Sequence, residues 1–310
     1  MFVEVDRSKA LTNRFPILLL DSTAEEAFAQ AGDLAERSRH RAVGAQAEFL
    51  AAELNAAASS GGIVLVAAAT SPFLGVWLDA LVGVPARTFT ILICPGREDA
   101  QRREAAFRRL ERLAGRGHAI FPIFTDEIER RINCEVCGEL RAAAQGFAVA
   151  AIIDALEHLA APLRRRDFSD VASDDALAPA GFTAAMTLLP KPGIEIEEQA
   201  RHLAERFFWP RPALEGAPRV LARIEVPRGT TERTVAAWRG ALARRFARSI
   251  VSVLRGDTDA DAPIRVSLVI PRLPLPGSAS KGVRASRVVP VARPARNAAQ
   301  RVARLSAVGR

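Results

Sequence analysis

The most conspicuous chemical signature is Cys134-Glu-Val-Cys137, two thiols at the spacing used by zinc ligands and by dithiol redox sites. A structural zinc needs four ligands, and the chain has three cysteines in all, with no second pair. A redox pair wants an electropositive helix start, whereas Glu135 and Glu139 flank this one. His40, His118, His158 and His202 share no spacing that suggests a metal site or a catalytic triad. No Gly-x-Ser-x-Gly, His-Glu-x-x-His or Gly-Lys-Ser/Thr occurs. Asp99 and Arg103 stand four apart on an amphipathic stretch, the spacing of a helical surface ion pair. These residues predict no metal centre and no familiar hydrolase site.

The elements that must carry any site are read from short apolar runs. Phe15–Leu20, Ile63–Ala69, Thr88–Cys94 and Ala119–Phe124 are almost continuously apolar, as strands buried on both faces of a parallel sheet are. Helical stretches alternate with them: Ala24–Arg37, Ala42–Ala58, Phe73–Val82 and Arg97–Leu113. That alternation predicts a Rossmann-like, doubly wound α/β sheet over residues 1–125. A long, centrally buried helix is expected from Asp126 to Leu159, within a segment 126–161. The connector 162–181 carries the charged run Arg164-Arg165-Arg166-Asp167-Phe168-Ser169-Asp170. Strands Phe182–Leu188, Arg219–Val226, Ser249–Arg255 and Ile264–Pro271, with helices Glu195–Phe208 and Glu232–Arg248, predict a smaller α+β domain over 182–272.

Charge is distributed unevenly over the 310 residues. The net charge is +8, from 43 Lys+Arg against 35 Asp+Glu. Lys281, Arg284, Arg287, Arg293, Arg296, Arg301, Arg304 and Arg310 lie beyond Leu273, where there is no acid. Without those eight bases the body is neutral, so the excess belongs to a basic tail over 273–310. Its Pro, Ser, Gly and Arg with few large apolar side chains predict disorder. Lys281–Arg310 has the charge to hold an anionic lipid surface or nucleic acid, but no aromatic residue on which bases could stack. A solvated tail is the plainer alternative. Few thiols, no signal-peptide core in Met1–Pro16 and no long uncharged apolar run predict a cytoplasmic chain without a membrane span.

The order of these elements resembles the tubulin/FtsZ superfamily, and FtsZ in particular. Ala142-Ala-Ala-Gln145-Gly146-Phe147 and Leu163-Arg-Arg-Arg-Asp167-Phe168-Ser169-Asp170-Val171 are similar to FtsZ's "AVQGI" followed by "LINVDFADV". Phe15–Phe28 is similar to "VEFIAINTDAQAL", and Ala200–Ala213, Arg219–Val226 with Thr230–Ala247, and Ile250–Pro271 resemble FtsZ's second domain. The likeness runs from about Arg14 to Pro271. It implies a GTP pocket with Mg²⁺, in which Asp99 and Arg103 match residues beside the nucleotide. It also implies a polymer of FtsZ-like subunits, in which an acidic loop from one subunit completes its neighbour's hydrolysis site. The two loop acids fall at Asp167 and Asp170, which would position the attacking water.

The departures fall on the nucleotide itself. FtsZ's phosphate signature G-G-G-T-G-T-G is replaced by Thr70-Ser71-Pro72-Phe73-Leu74-Gly75; Pro72 has no N–H to donate, and Phe73 and Leu74 add bulk. The family's first strand and glycine loop have no counterpart, and only Gly44 remains of the third loop. The Asn-Asp pair that reads guanine falls at Cys137-Gly138, and the loop Asn falls at Arg165. Asp167 and Asp170 also fit a plainer role, capping the next segment and pairing with the arginines. Three expectations stand. The first is a pseudo-GTPase of cell division that associates with filaments through the Asp167/Asp170 face. The second is an active GTPase that builds filaments through an unusual pocket of Asp99, Arg103, Thr125 and Asp126. The third is a non-cytoskeletal α/β protein docked by its tail.

Overall fold

The computed structural model describes residues 15–37, 40–43, 62–81, 87–96, 98–114, 119–132, 138–160, 181–191, 193–201, 209, 214, 220–227, 229–246, 249–255 and 263–275. Asp167, Asp170, the arginines before them, Cys134, Cys137 and Lys281–Arg310 lie outside these residues.

The apolar runs form strands β1 (Ile17–Leu19), β3 (Gly62–Ala68), β4 (Arg87–Cys94) and β5 (Ala119–Phe124). A three-residue strand, β2 (His40–Ala42), joins them; its exposed residues carry no apolar signal. The second group is β6 (Gly181–Leu188), β7 (Val220–Val226), β8 (Ser249–Arg255) and β9 (Arg265–Pro271). All nine bond into one sheet in the order β2-β1-β3-β4-β5-β6-β9-β7-β8. From β2 to β6 every pair is parallel, whereas β9 runs antiparallel to β6 and β7. Two residue pairs, Ala119 with Gly181 and Ile120 with Phe182, carry the sheet from the first group into the second.

Side chains alternate across this sheet and feed two cores. Leu18, Ile63, Leu65 and Leu92 face one core with helices α3 (Leu74–Leu81) and α4 (Ala100–Ala114). Ile17, Leu19, Val64 and Ile91 face the other with α1 (Ser22–Ala29), α2 (Asp33–Arg37), α5 (Thr125–Ile132) and α6 (Gly138–Ala160). Helices on both faces of a parallel sheet make the doubly wound α/β fold. The remaining helices, α7 (Ile196–Arg201) and α8 (Glu232–Arg245), feed the first core through Ala200, Val235 and Trp238.

One expectation needs correction. The helix foreseen over Ala24–Arg37 is two helices, because the chain turns at Gly32, whose φ of +58° suits a residue without Cβ. Of the long helix expected from Asp126, the structure describes α5 and α6; residues 133–137 between them lie outside the described residues. Leu140–Leu159 within α6 carries Arg141, Asp154 and Glu157 but is long and apolar enough to cross a membrane, with a mean hydropathy of 1.2. Of that segment 61% is buried in the fold, so it packs as a core helix between the two strand groups.

Helix α6 is held close to α1 by its glycine. A methyl group at Gly146 would lie 2.5 Å from the Ala27 carbonyl oxygen and 2.7 Å from the Gln30 carbonyl carbon. The Gln145-Gly146 pair thus fixes how α6 meets the first strand group.

Candidate functional site

In an open parallel sheet, ligands bind beyond the carboxyl ends of the strands, where the winding reverses. Here that point lies between β1 and β3, which hydrogen-bond directly, Ile17 opposite Val64 and Leu19 opposite Val66. No strand separates them, so the loops leaving β1 and β3 meet at the crevice.

The loop after β1 places Asp21 there. In extended conformation (φ −157°, ψ 171°), Asp21 is the N-cap of α1. Its Oδ1 accepts the Ala24 N–H at 3.0 Å, as a helix N-cap does. Its Oδ2 accepts the Ala68 N–H at the end of β3, at 2.9 Å. One carboxylate therefore joins a helix start to a strand end 47 residues away.

Three positions of the loop after β3 offer no backbone N–H to an anion. The Ala69 N–H goes to the Ile93 carbonyl and the Ser71 N–H to the Ala68 carbonyl. Pro72 has no N–H. Phe73 packs against the core and Leu74 is wholly buried in it. The Ser71 hydroxyl is buried with no hydrogen-bond partner.

Beyond β4 and β5 lie the four residues expected around a nucleotide. Asp99 accepts the Arg102 N–H at 2.9 Å at the start of α4 and pairs with the Arg102 guanidinium at 3.1 Å. It does not pair with Arg103, as the four-residue spacing suggested; capping points its carboxylate back at its own helix. Arg103 reaches instead to Asp126, with Nη2 2.6 Å from Oδ2, and lies over the Phe107 ring. The Thr125 hydroxyl donates to the Cys94 carbonyl at 2.6 Å and accepts from Gln145 Nε2 at 2.9 Å. Arg103, Thr125 and Asp126 thus come together while Asp99 stands apart. Arg141 on α6 pairs with Glu98 at 2.7 Å across the same edge. Burial pushes the Cys94 thiol far above its ordinary range; Asp126 adds to this and Arg103 opposes it.

A second polar cluster, invisible in the sequence, sits where α6 ends. His158 Nδ1 lies 2.7 Å from the Ser267 hydroxyl, and Nε2 lies 3.3 Å from a Glu225 carboxylate oxygen. The order carboxylate, imidazole, hydroxyl is that of a catalytic triad. Yet Ser267 is 0% exposed, and the His158 pKa is pushed down to about 2 by burial, with Arg265 and Arg223 adding. A base that weak beside a hydroxyl no substrate can reach does no hydrolysis. The cluster fastens instead: Arg223 donates to the His158 carbonyl, and Arg265 to the Asp154 carbonyl at 3.2 Å. Both cations complement the carbonyl end of α6. Among the described residues no group of His, Cys, Asp and Glu could hold a metal ion.

No protein-family model matches the sequence, and no curated protein matches it either. Solved structures do. A mutant FtsZ from M. jannaschii matches with a TM-score of 0.56 and 13% identity, over 84% of this chain and 92% of that one. CetZ2 from Haloferax volcanii, in a GTPγS-bound protofilament, matches with a TM-score of 0.59 and 15% identity, over 84% and 94%. TubZ from Bacillus thuringiensis serovar israelensis, in GDP-form protofilaments, matches with a TM-score of 0.54 and 12% identity, over 86% and 88%. At these identities the likeness is one of architecture, and it spans both strand groups. The chain has the tubulin/FtsZ fold.

Proposed function

We propose that this chain is a pseudo-GTPase of a cytoplasmic, FtsZ-like cytoskeletal system, which joins or regulates filaments without binding GTP productively itself. The observation that carries this reading is the loop after β3. Two of its N–H groups are bonded within the fold, a third is missing at Pro72, and Leu74 fills the space below with core. A phosphate cradle needs several converging backbone donors and room beside them. The polar residues beyond β4 and β5 support the same reading. Arg103 is engaged by Asp126, and the Thr125 hydroxyl by Cys94 and Gln145.

Filament association draws on the structural neighbours, two of which are protofilaments, and on Asp167 and Asp170. Those acids match the loop that reaches into the next subunit's pocket in FtsZ. A subunit with that face and no pocket would bind the nucleotide-bearing end of a competent filament. The test has two parts. Titration with a fluorescent GTP analogue and Mg²⁺ should show no saturable binding, and saturation at micromolar concentration would end the pseudo-GTPase reading. Mixed with a competent FtsZ, the chain should co-pellet or change GTP turnover, and Asp167→Ala with Asp170→Ala should remove the effect. No co-pelleting and no change in turnover would end the filament reading.

A further inference from the structure

We propose that Asp21 is an internal anion, a carboxylate that occupies the phosphate position at the switch point and keeps it closed. The proposal rests on the pseudo-GTPase reading and gives it a specific residue. The start of a helix bears unpaired N–H groups and about half a positive charge, which makes it a natural site for an anion. At α1 that site already has one. Oδ1 takes the Ala24 N–H, while the Asp21 backbone carbonyl accepts the Glu25 N–H.

An ordinary N-cap ends there. Asp21 goes further, because Oδ2 takes a donor from a different element, the Ala68 N–H. Donors converging from a helix start and a strand end are what an anion site is made of. The crevice holds one more. Ser71, bonded back to the Ala68 carbonyl through its N–H, keeps a hydroxyl that is 2% exposed at the residue level and has no hydrogen-bond partner. A phosphate entering from solvent would meet a fixed negative charge close to its own, with the Ala24 and Ala68 N–H groups already taken. Like charges brought close in a partly desolvated crevice repel, which disfavours a weakly held anion.

The test uses the full chain with inorganic pyrophosphate as probe, followed by calorimetry and phosphorus NMR. Asp21→Ser keeps an N-cap hydroxyl for α1 but removes the charge and releases the Ala68 N–H. Asp21→Asn is a near-isosteric second variant, should the serine protein fold poorly. Asp21→Glu keeps the charge. The expected result is at least about tenfold tighter pyrophosphate binding by the serine or asparagine variant than by the wild type or the glutamate variant, a difference worth about 1.4 kcal/mol. Folded, uncharged variants that bind no better than wild type would overturn the proposal. That outcome leaves the pseudo-GTPase reading intact, because it rests on the loop after β3. Saturable GTP binding by the wild type would remove that reading, whatever pyrophosphate does with the variants.

Discussion

Replacing Gly146 by alanine tests how α6 is seated, and the structure sets the sign of the effect. The new methyl would meet Ala27 O at 2.5 Å, Gln30 C at 2.7 Å and Gln30 Cβ at 2.8 Å. Two of these are backbone atoms at the end of α1, which cannot rotate away, so the helices must separate by several tenths of an ångström. Overpacking of this kind costs up to about 3 kcal/mol, whereas alanine in place of glycine within a helix returns about 1 kcal/mol. The net loss is then about 2 kcal/mol. For a chain of 310 residues it lowers Tm by about 3 °C. Gly240→Ala is the matched control. Its methyl would meet only the Arg244 guanidinium, at 3.3 Å, the far end of a flexible side chain. That variant should gain about 0.5–1 kcal/mol. Urea unfolding followed through Trp77, Trp209 and Trp238 reads both changes. If both variants are stabilised alike, the close approach of α6 to α1 is wrong.

The cluster at the end of α6 makes two further predictions. The His158 pKa is depressed in the fold to about 2, so the imidazole is neutral there while the unfolded chain binds a proton near pH 6.5. Its contribution is complete above pH 6.5 and is lost as pH falls. Between pH 6.5 and 5 the loss is about 2 kcal/mol. Urea midpoints across that range should flatten in His158→Gln, and an unchanged slope would refute the assignment. Arg223 is 2% exposed, and its pKa is lowered to about 10 by burial, with Glu225 opposing. Arg223→Ala removes the donor to the His158 carbonyl and should cost about 3 kcal/mol, as breaking a buried charged contact does. Hydrogen exchange should rise first in the last turn of α6, and a loss confined to other elements would contradict the fastening role.

The strands were legible because burial on both faces writes itself as an unbroken apolar run. Ile63–Ala69 and Ala119–Phe124 were placed to within a residue. Strand β2 was not, since its three residues are exposed and one of them, His40, meets the Phe28 ring only at a tilt of 49°. At the site, Arg103 meets Asp126 in an ion pair, with Thr125 next to Asp126 in the chain. The partner of Arg103 could not be read, because local spacing favours Asp99 and the real contact spans 23 residues. His158 and Ser267 are 109 residues apart, and neither carries a motif. Side-chain bonds of that kind are fixed by how elements pack, and composition and periodicity say nothing about them.

Asp21 shows how one change in topology can make another legible only afterwards. In the sequence it is only the residue that ends the apolar run Phe15–Leu20. Its second bond, to Ala68, exists because β1 lies directly against β3. Neighbouring strands are about 4.8 Å apart, so a strand inserted between them would carry Asp21 to about 10 Å from β3, beyond the reach of an aspartate side chain. In a doubly wound sheet the strands at the switch point are neighbours even where an external ligand fills the crevice, so direct pairing does not by itself close it. Here direct pairing brings a carboxylate within reach of the Ala68 N–H, and on our proposal that carboxylate does the closing. A longer acid at position 21 should keep the crevice closed, while a shorter neutral residue should open it.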